Sequence, residues 1–148
     1  MSGSAITLRP ANAHDYPMAL ELYLTTMAPM TADLMHWDRT KQCASFQQQW
    51  QLEEIKVIVK ESENVGWLQV GPAERGVELR QFFIMPARQR QGIGTEIMQR
   101  LIAQWREQQT LPARLTVLKN NPARSLYETF GFQIIGDIGV KYLMQLER

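Results

Sequence analysis

The chain has a single cysteine, Cys43, among 148 residues. That excludes an intrachain disulfide and any multi-cysteine metal site. The two histidines, His14 and His36, lie far apart and lack a metal-ligand spacing, so no metal is expected. No apolar run is long enough to cross a membrane. Met1-Ser2-Gly3-Ser4 lacks the basic-then-apolar order of a signal peptide and reads as a tail. A cytoplasmic location follows as the default. Charge of one sign is also missing: 16 basic and 15 acidic residues leave a formal net charge of +1. Without a basic stripe, a nucleic-acid surface is not expected. The chain also has no internal repeat, linker or low-complexity tract.

What is present is an ordinary globular composition, 45% hydrophobic and 21% charged, in a length that allows one domain with a real core. Ala5 to Arg9 alternates apolar and polar residues and reads as a strand. Asn12 or Asp15 caps a helix reaching about Met27, with Leu20, Tyr23, Leu24 and Met27 on its apolar face and Pro29 as its interruption. Thr31 is expected to cap a second helix running through Leu34, Met35, Phe46 and Trp50. Ile55 to Lys60 and Val65 to Val70 form a hairpin around Glu61-Ser62-Glu63-Asn64. A further strand runs from Gly76 to Met85 and stops at Pro86. Ile93, Ile97, Met98, Leu101, Ile102 and Trp105 make one helical stripe. Arg114 to Leu118 is a strand, and Pro122 to Phe130 a short helix stopped by Gly131. Phe132 to Ile138 and Val140 to Leu146 are the last strand pair. The order is β-α-α-β-β-β-α-β-α-β-β. The helix between the fourth and fifth strands suggests a parallel pair, the rest being antiparallel.

The densest chemical signal is Gln89-Arg90-Gln91-Gly92-Ile93-Gly94-Thr95. It lies between the strand ending Phe82-Phe83-Ile84-Met85 and the striped helix. Glycines let a ligand approach the backbone, and a helix N-terminus offers unpaired N–H donors and partial positive charge. Arg88 and Arg90 add full charges, and at least one is expected to meet phosphate. The loop ends in no Gly-Lys-Ser/Thr triplet and lacks the third glycine of a dinucleotide fingerprint. It reads as a site for a phosphorylated ligand.

A second stretch, Asn120-Asn121-Pro122-Ala123-Arg124-Ser125-Leu126-Tyr127-Glu128-Thr129-Phe130-Gly131-Phe132, completes a resemblance. Gln89, Gly92 and Gly94 match the phosphate-binding motif of the GNAT superfamily of acetyl-CoA-dependent N-acetyltransferases. Asn120, Ala123, Tyr127, Gly131 and Phe132 match its later pattern, one long helix and one strand downstream. The chain resembles this family over about residues 5 to 147. Arg90 departs from it, standing where the family often has glycine.

The resemblance implies a single-domain α/β (α+β) fold. Its central mixed, mostly antiparallel sheet has about seven strands and about four flanking helices. Its fourth and fifth strands form a splayed parallel pair. It implies acetyl-CoA as cosubstrate. Backbone groups of Phe82, Phe83 and Ile84 would pair with the pantetheine arm. The N–H groups of Gln89, Arg90, Gln91, Gly92, Ile93, Gly94 and Thr95 would hold the pyrophosphate. Asn120 would hydrogen-bond the cofactor where the strands splay. Tyr127 would lie near its sulfur as general acid, and Glu78 is the expected base. The acceptor would be a primary amine of a small molecule or peptide. The resemblance also allows a homodimer through the last strands or the sheet edge.

Bland readings compete residue by residue. Tyr127 suits a half-buried packing position, and Glu78 a solvated strand face. Met27, Met30, Met35 and Trp37 lie on the acceptor side of the family but read mainly as core. Asp33 and Asp38 read as exposed charges, His14 as a helix-start residue and Cys43 as an inert thiol. The alternative function is a non-catalytic acetyl-CoA-binding sensor or subunit. Asn120, Tyr127 and Glu78 together favour the enzyme.

Overall fold

The computed structural model describes residues 5–148; the expected tail, residues 1–4, lies outside them. Seven strands and four α-helices follow one another as β1 (Ile6–Pro10), α1 (Tyr16–Thr31), α2 (Arg39–Gln49), β2 (Ile55–Lys60), β3 (Glu63–Pro72), β4 (Val77–Ile84), α3 (Ile93–Glu107), β5 (Ala113–Leu118), α4 (Ala123–Thr129), β6 (Gln133–Ile138) and β7 (Lys141–Leu146). The order is the one read from periodicity and turn residues. The strands form one sheet in the order β1-β2-β3-β4-β5-β7-β6. The β4–β5 pair is parallel. β1–β2, β2–β3, β5–β7 and β6–β7 are antiparallel.

The first two helices differ from expectation. Pro29 does not end α1, which continues to Thr31. Pro29 is exposed and costs α1 the ladder bond to the Thr25 carbonyl, and the helix ends two residues later. Thr31 therefore ends α1 instead of capping a second helix, and its buried hydroxyl donates to the Met27 carbonyl at 2.8 Å. α2 starts eight residues later, where Asp38 Oδ1 accepts from the Lys41 N–H at 3.2 Å. Asp38, read as a solvated charge, is a helix cap.

The chain divides into two compact units, one of residues up to Gln69 with Gln81–Arg88, the other of Val70–Arg80 with Gln89–Arg148. The first has an aromatic core. Phe46 and Trp67 meet edge to face at 5.7 Å between ring centroids, and Tyr23 and Phe83 do so at 5.8 Å. Tyr16 and Trp50 lie at its margin, 5.0 Å apart. Each such pair adds roughly 0.5–1.5 kcal/mol beyond burial. Met27 and Trp37 pack against this core, whereas Met35 is 40% exposed.

The second unit is aliphatic. All six residues of the α3 stripe are buried, as are Leu115, Val117, Met144 and Leu146. Gly76 occupies its tightest turn, with φ +78°; a Cβ there would come within 1.8 Å of the Pro112 carbonyl oxygen. No larger residue fits without moving backbone.

Candidate active site

β4 carries the first group of expected site residues. Strand alternation gives it two faces. Leu79 and Phe83 are buried on one; Glu78, Arg80, Phe82 and Ile84 belong to the other. Glu78 Oε1 and Arg80 Nε form a partly exposed ion pair at 3.3 Å. Phe83 packs its ring 5.3 Å from Trp67. Its carbonyl oxygen lies 2.2 Å from the position a Cβ on Gly66 would take. Gly66, which the sequence reading passed over, thus lets β3 approach this part of β4.

The parallel β4–β5 pairing consists of Val77↔Ala113 and Glu78↔Arg114. Both strands run on, β4 to Ile84 and β5 to Leu118. Leu79 and Arg80 have no β5 partner, and Glu78 stands at the last paired position. Asn120 follows the far end of β5, about 20 Å from Arg114 at an extended rise of ~3.3 Å per residue. The structure therefore sets Glu78 and Asn120 at opposite ends of β5, and the ion-pair partner of Glu78 is Arg80.

The glycine loop leads from a 3-10 turn, Pro86–Arg88, into α3. Gly92 is the N-cap residue, with φ +80° and no side-chain acceptor for the first helical N–H groups. Nothing lies within 4 Å of a Cβ built on it. Ile93 is buried and holds the helix down, while Gln89, Arg90, Gln91 and Thr95 are exposed and Gly94 is half-buried. The first turn of α3 is thus an open set of donors at the positive end of a helix. Arg90 itself is left-handed, φ +63°, which explains why a glycine suits that position.

Arg88 corrects part of the expectation. It binds Glu61 at 3.3 Å and, more closely, Glu63. These two carboxylates of the β2–β3 turn already neutralise it. Glu61 and Glu63 stand in or beside the hairpin turn read from the sequence, but only the fold shows that Arg88 meets them. Arg90 has no ion-pair partner among the described residues.

The second motif is partly structural. Asn121 shapes the turn before α4, whose N-cap is Pro122: the Asn121 Oδ1 accepts from the Ala123 N–H at 2.9 Å. Asn120 is exposed just before it. At the other end, the Phe132 N–H donates to the Tyr127 carbonyl at 3.1 Å and the Gly131 N–H to the Glu128 carbonyl at 3.0 Å. Gly131 has φ +100°. This is a Schellman end, and its accompanying apolar contact is the Tyr127–Phe132 ring pair at 5.9 Å. The spacing Tyr127–Gly131–Phe132 therefore terminates a helix. It uses the carbonyl and ring of Tyr127, while the phenol has no hydrogen-bond partner among the described residues. Burial pushes that phenol well above the ordinary tyrosine value, so it stays protonated.

Against this geometry, the family profile "Acetyltransferase (GNAT) domain" matches residues 51–134, more than half of the chain. The chain belongs to the GNAT acetyltransferases. As a member of this family it is an acyltransferase, and its seven-stranded sheet with one parallel pair is the GNAT fold. A search of curated proteins finds no match. Solved structures of similar fold include the PaiA N-acetyltransferase of Thermoplasma acidophilum in complex with coenzyme A. It is 15% identical, with 97% of this chain and 99% of that chain covered and a TM-score of 0.77. Ard1 of Thermoplasma volcanium is 19% identical, with 97% of each chain covered and a TM-score of 0.70. Arabidopsis thaliana Naa50, solved with the bisubstrate analogue CoA-Ac-MVNAL, is 16% identical, with 97% and 99% covered and a TM-score of 0.65. Among the described residues, no group of three or more His, Cys, Asp or Glu could hold a metal ion. Among the described residues, no helix is long and apolar enough to cross a membrane.

Proposed function

We propose that this GNAT protein transfers the acetyl group from acetyl-CoA to a primary amine of a small molecule or peptide, in the cytoplasm, with residues 5–147 acting as one catalytic domain. The observation that carries this reading is the uncapped start of α3 at Gly92, open to a ligand, inside the segment that matches the family. Coenzyme A in the PaiA structure and CoA-Ac-MVNAL in the Naa50 structure support the choice of cosubstrate.

In this reading, the N–H groups from Gln89 to Thr95 bind the pyrophosphate and Arg90 adds charge. The backbone of Phe82, Phe83 and Ile84 pairs with the pantetheine arm, and a strand N–H near Phe83 faces the oxygen on which charge develops. Asn120 hydrogen-bonds the cosubstrate. The chemistry supplied by acetyl-CoA is thioester exchange: the amine nitrogen bonds to the acetyl carbon as the carbon–sulfur bond breaks. Glu78 takes the proton from the attacking amine, directly or through water. Tyr127 donates its hydroxyl hydrogen bond to the departing sulfur. A thiol has an ordinary pKa near ~8.5, below that of the buried phenol, so Tyr127 steadies the thiolate more than it delivers a proton outright.

A homodimer belongs to the same reading. β6 is an edge strand, and Ile134, Ile135 and Ile138 on it are 43%, 47% and 52% exposed.

The test is thiol release from acetyl-CoA with polyamines, amino acids, aminoglycosides and short peptides. Turnover on one class is expected. Tyr127→Phe should lower kcat roughly 10- to 100-fold, about 1.4–2.7 kcal/mol, with KM for acetyl-CoA little changed. Equal kcat in the variant would remove Tyr127 from the chemistry. An unchanged pH–rate profile in Glu78→Gln would remove the base. Tight acetyl-CoA binding with no turnover would favour a sensor or subunit.

A further inference from the structure

The second unit has a cavity that the acetyl-transfer reading does not use. Its volume is about 420 Å³, and Arg75, Gln109, Thr110, Leu111, Pro112 and Arg148 line it. It lies past the C-terminal end of α3, and the glycine loop is at the other end. Fifteen residues of helix separate the two, about 22 Å at ~1.5 Å per residue.

Three chain segments build it: the β3–β4 turn, the α3–β5 connection and the end of β7. Leu111 and Pro112 are buried and give it an apolar wall. Gly76, pressed on the Pro112 carbonyl, fixes the turn that carries Arg75. Neither Arg75 nor Arg148 has an ion pair or hydrogen bond among the described residues. Six other arginines do: Arg9, Arg80, Arg88, Arg100, Arg114 and Arg124.

The end of α3 would ordinarily oppose an anion, because helix C-termini carry unpaired carbonyls. Here three of the last four, those of Gln104, Trp105 and Arg106, are taken. Gln104 and Arg106 carbonyls accept from the Gln108 N–H, and Arg106 also accepts from Gln109. The Trp105 carbonyl accepts both the N–H and the hydroxyl of Thr110. Of the neighbouring carboxylates, Glu147 accepts from Gln145; Glu74 and Glu107 flank the site in sequence.

The geometry points to a second ligand site here, for a small oxyanion with two or more negative charges, either a polycarboxylate or a phosphate ester. Two guanidinium groups suit such groups, each offering a planar fork of donors. The volume falls within the range of small-molecule sites. The Val77 N–H donates to the Pro112 carbonyl at 3.0 Å, so an occupant would brace the turn next to the β4–β5 pairing.

The full chain saturated with CoA, to occupy the glycine loop, is titrated calorimetrically with citrate and separately with inorganic phosphate. Glycerol is the neutral control. Saturable 1:1 binding of at least one anion is expected, weakened at least tenfold by Arg75→Gln or Arg148→Gln and abolished by both. Citrate alone assigns a polycarboxylate, and phosphate alone a phosphate ester; binding of both leaves the shared oxyanion chemistry. Both arginines are exposed, so the variants should keep the wild-type melting temperature. No saturable binding of either anion, or binding that the double variant leaves unchanged, overturns the proposal. Repeating the titration without CoA separates the two readings: a chain that gives no heat with CoA still reports on the cavity through the arginine variants.

Discussion

Two helix starts in this molecule solve the same problem in opposite ways. At the 3-10 turn Ala13–Asp15 that leads into α1, Asn12 accepts from the His14 N–H and Asp15 accepts from the Asn12 N–H, at 2.8 Å each. Arg9 then holds the Asp15 carboxylate at 2.7 and 2.9 Å. Every partner is internal, and Asp15 is buried. At the entry to α3, Gly92 offers no side-chain acceptor and leaves open space beside it. Unpaired donors cost stability unless something satisfies them. A start that consumes its own donors is structural; one that leaves them open is suited to a ligand.

The largest effect should come from closing the second start. Gly92→Asp puts a carboxylate beside the donors and an L-residue at positive φ, where aspartate is tolerated better than most. Acetyl-CoA affinity should fall roughly 100-fold, about 2.7 kcal/mol, and calorimetry would show it. Unchanged affinity would mean that the open donors are not the binding site.

Opening the first start should cost folding free energy instead. Asp15→Asn removes the bidentate pair with Arg9 and weakens the cap, at about 1–2 kcal/mol, because Arg9 is partly solvated. The hydrogen bond from Arg9 holds the Asp15 carboxyl below its ordinary value. A carboxyl lowered in the folded state stabilises above its unfolded value, near ~3.9, and loses that contribution as pH falls through the folded one. Urea unfolding should therefore show wild type and variant converging as pH falls from the ordinary carboxyl value through the lowered, folded one. A gap that persisted there would assign the effect to packing.

Arg90→Gly should have the smallest effect on stability and the most diagnostic sign. It relieves an L-residue at φ +63°, while glycine adds entropy to the unfolded chain. The net gain should be about 0.5 kcal/mol by thermal melting. Acetyl-CoA binding should weaken about threefold to tenfold if Arg90 contacts phosphate. Equal affinity would leave the backbone donors as the whole site.

Much of this was legible in order of residues. The α3 stripe is buried at every one of its six positions, because a period near 3.6 has one arrangement that hides all its apolar residues. Asn12 and Gly131 act where short polar and achiral residues are most useful, at helix ends. The length of α1 was not fully legible: Pro29 is a local signal to stop, and the helix runs two residues past it before ending at Thr31. Nor was the engagement of Arg88, since Glu61 and Glu63 lie some 25 residues earlier in the chain. Asp38 looked like a spare charge because its cap role depends on where α2 begins.

By itself, the sequence determined what short-range physics controls: the element types, their order, the stop of α4 at Gly131 and the glycine turn before α3. Each depends on residues within about a turn of one another. Only the tertiary structure decided which charges are spent and which remain. Arg88 is neutralised, the buried Asp15 is paired with the partly solvated Arg9, and Arg75 and Arg148 are left facing one cavity. Those outcomes depend on long-range register and turn placement, where a carboxylate distant in sequence arrives beside a guanidinium or does not.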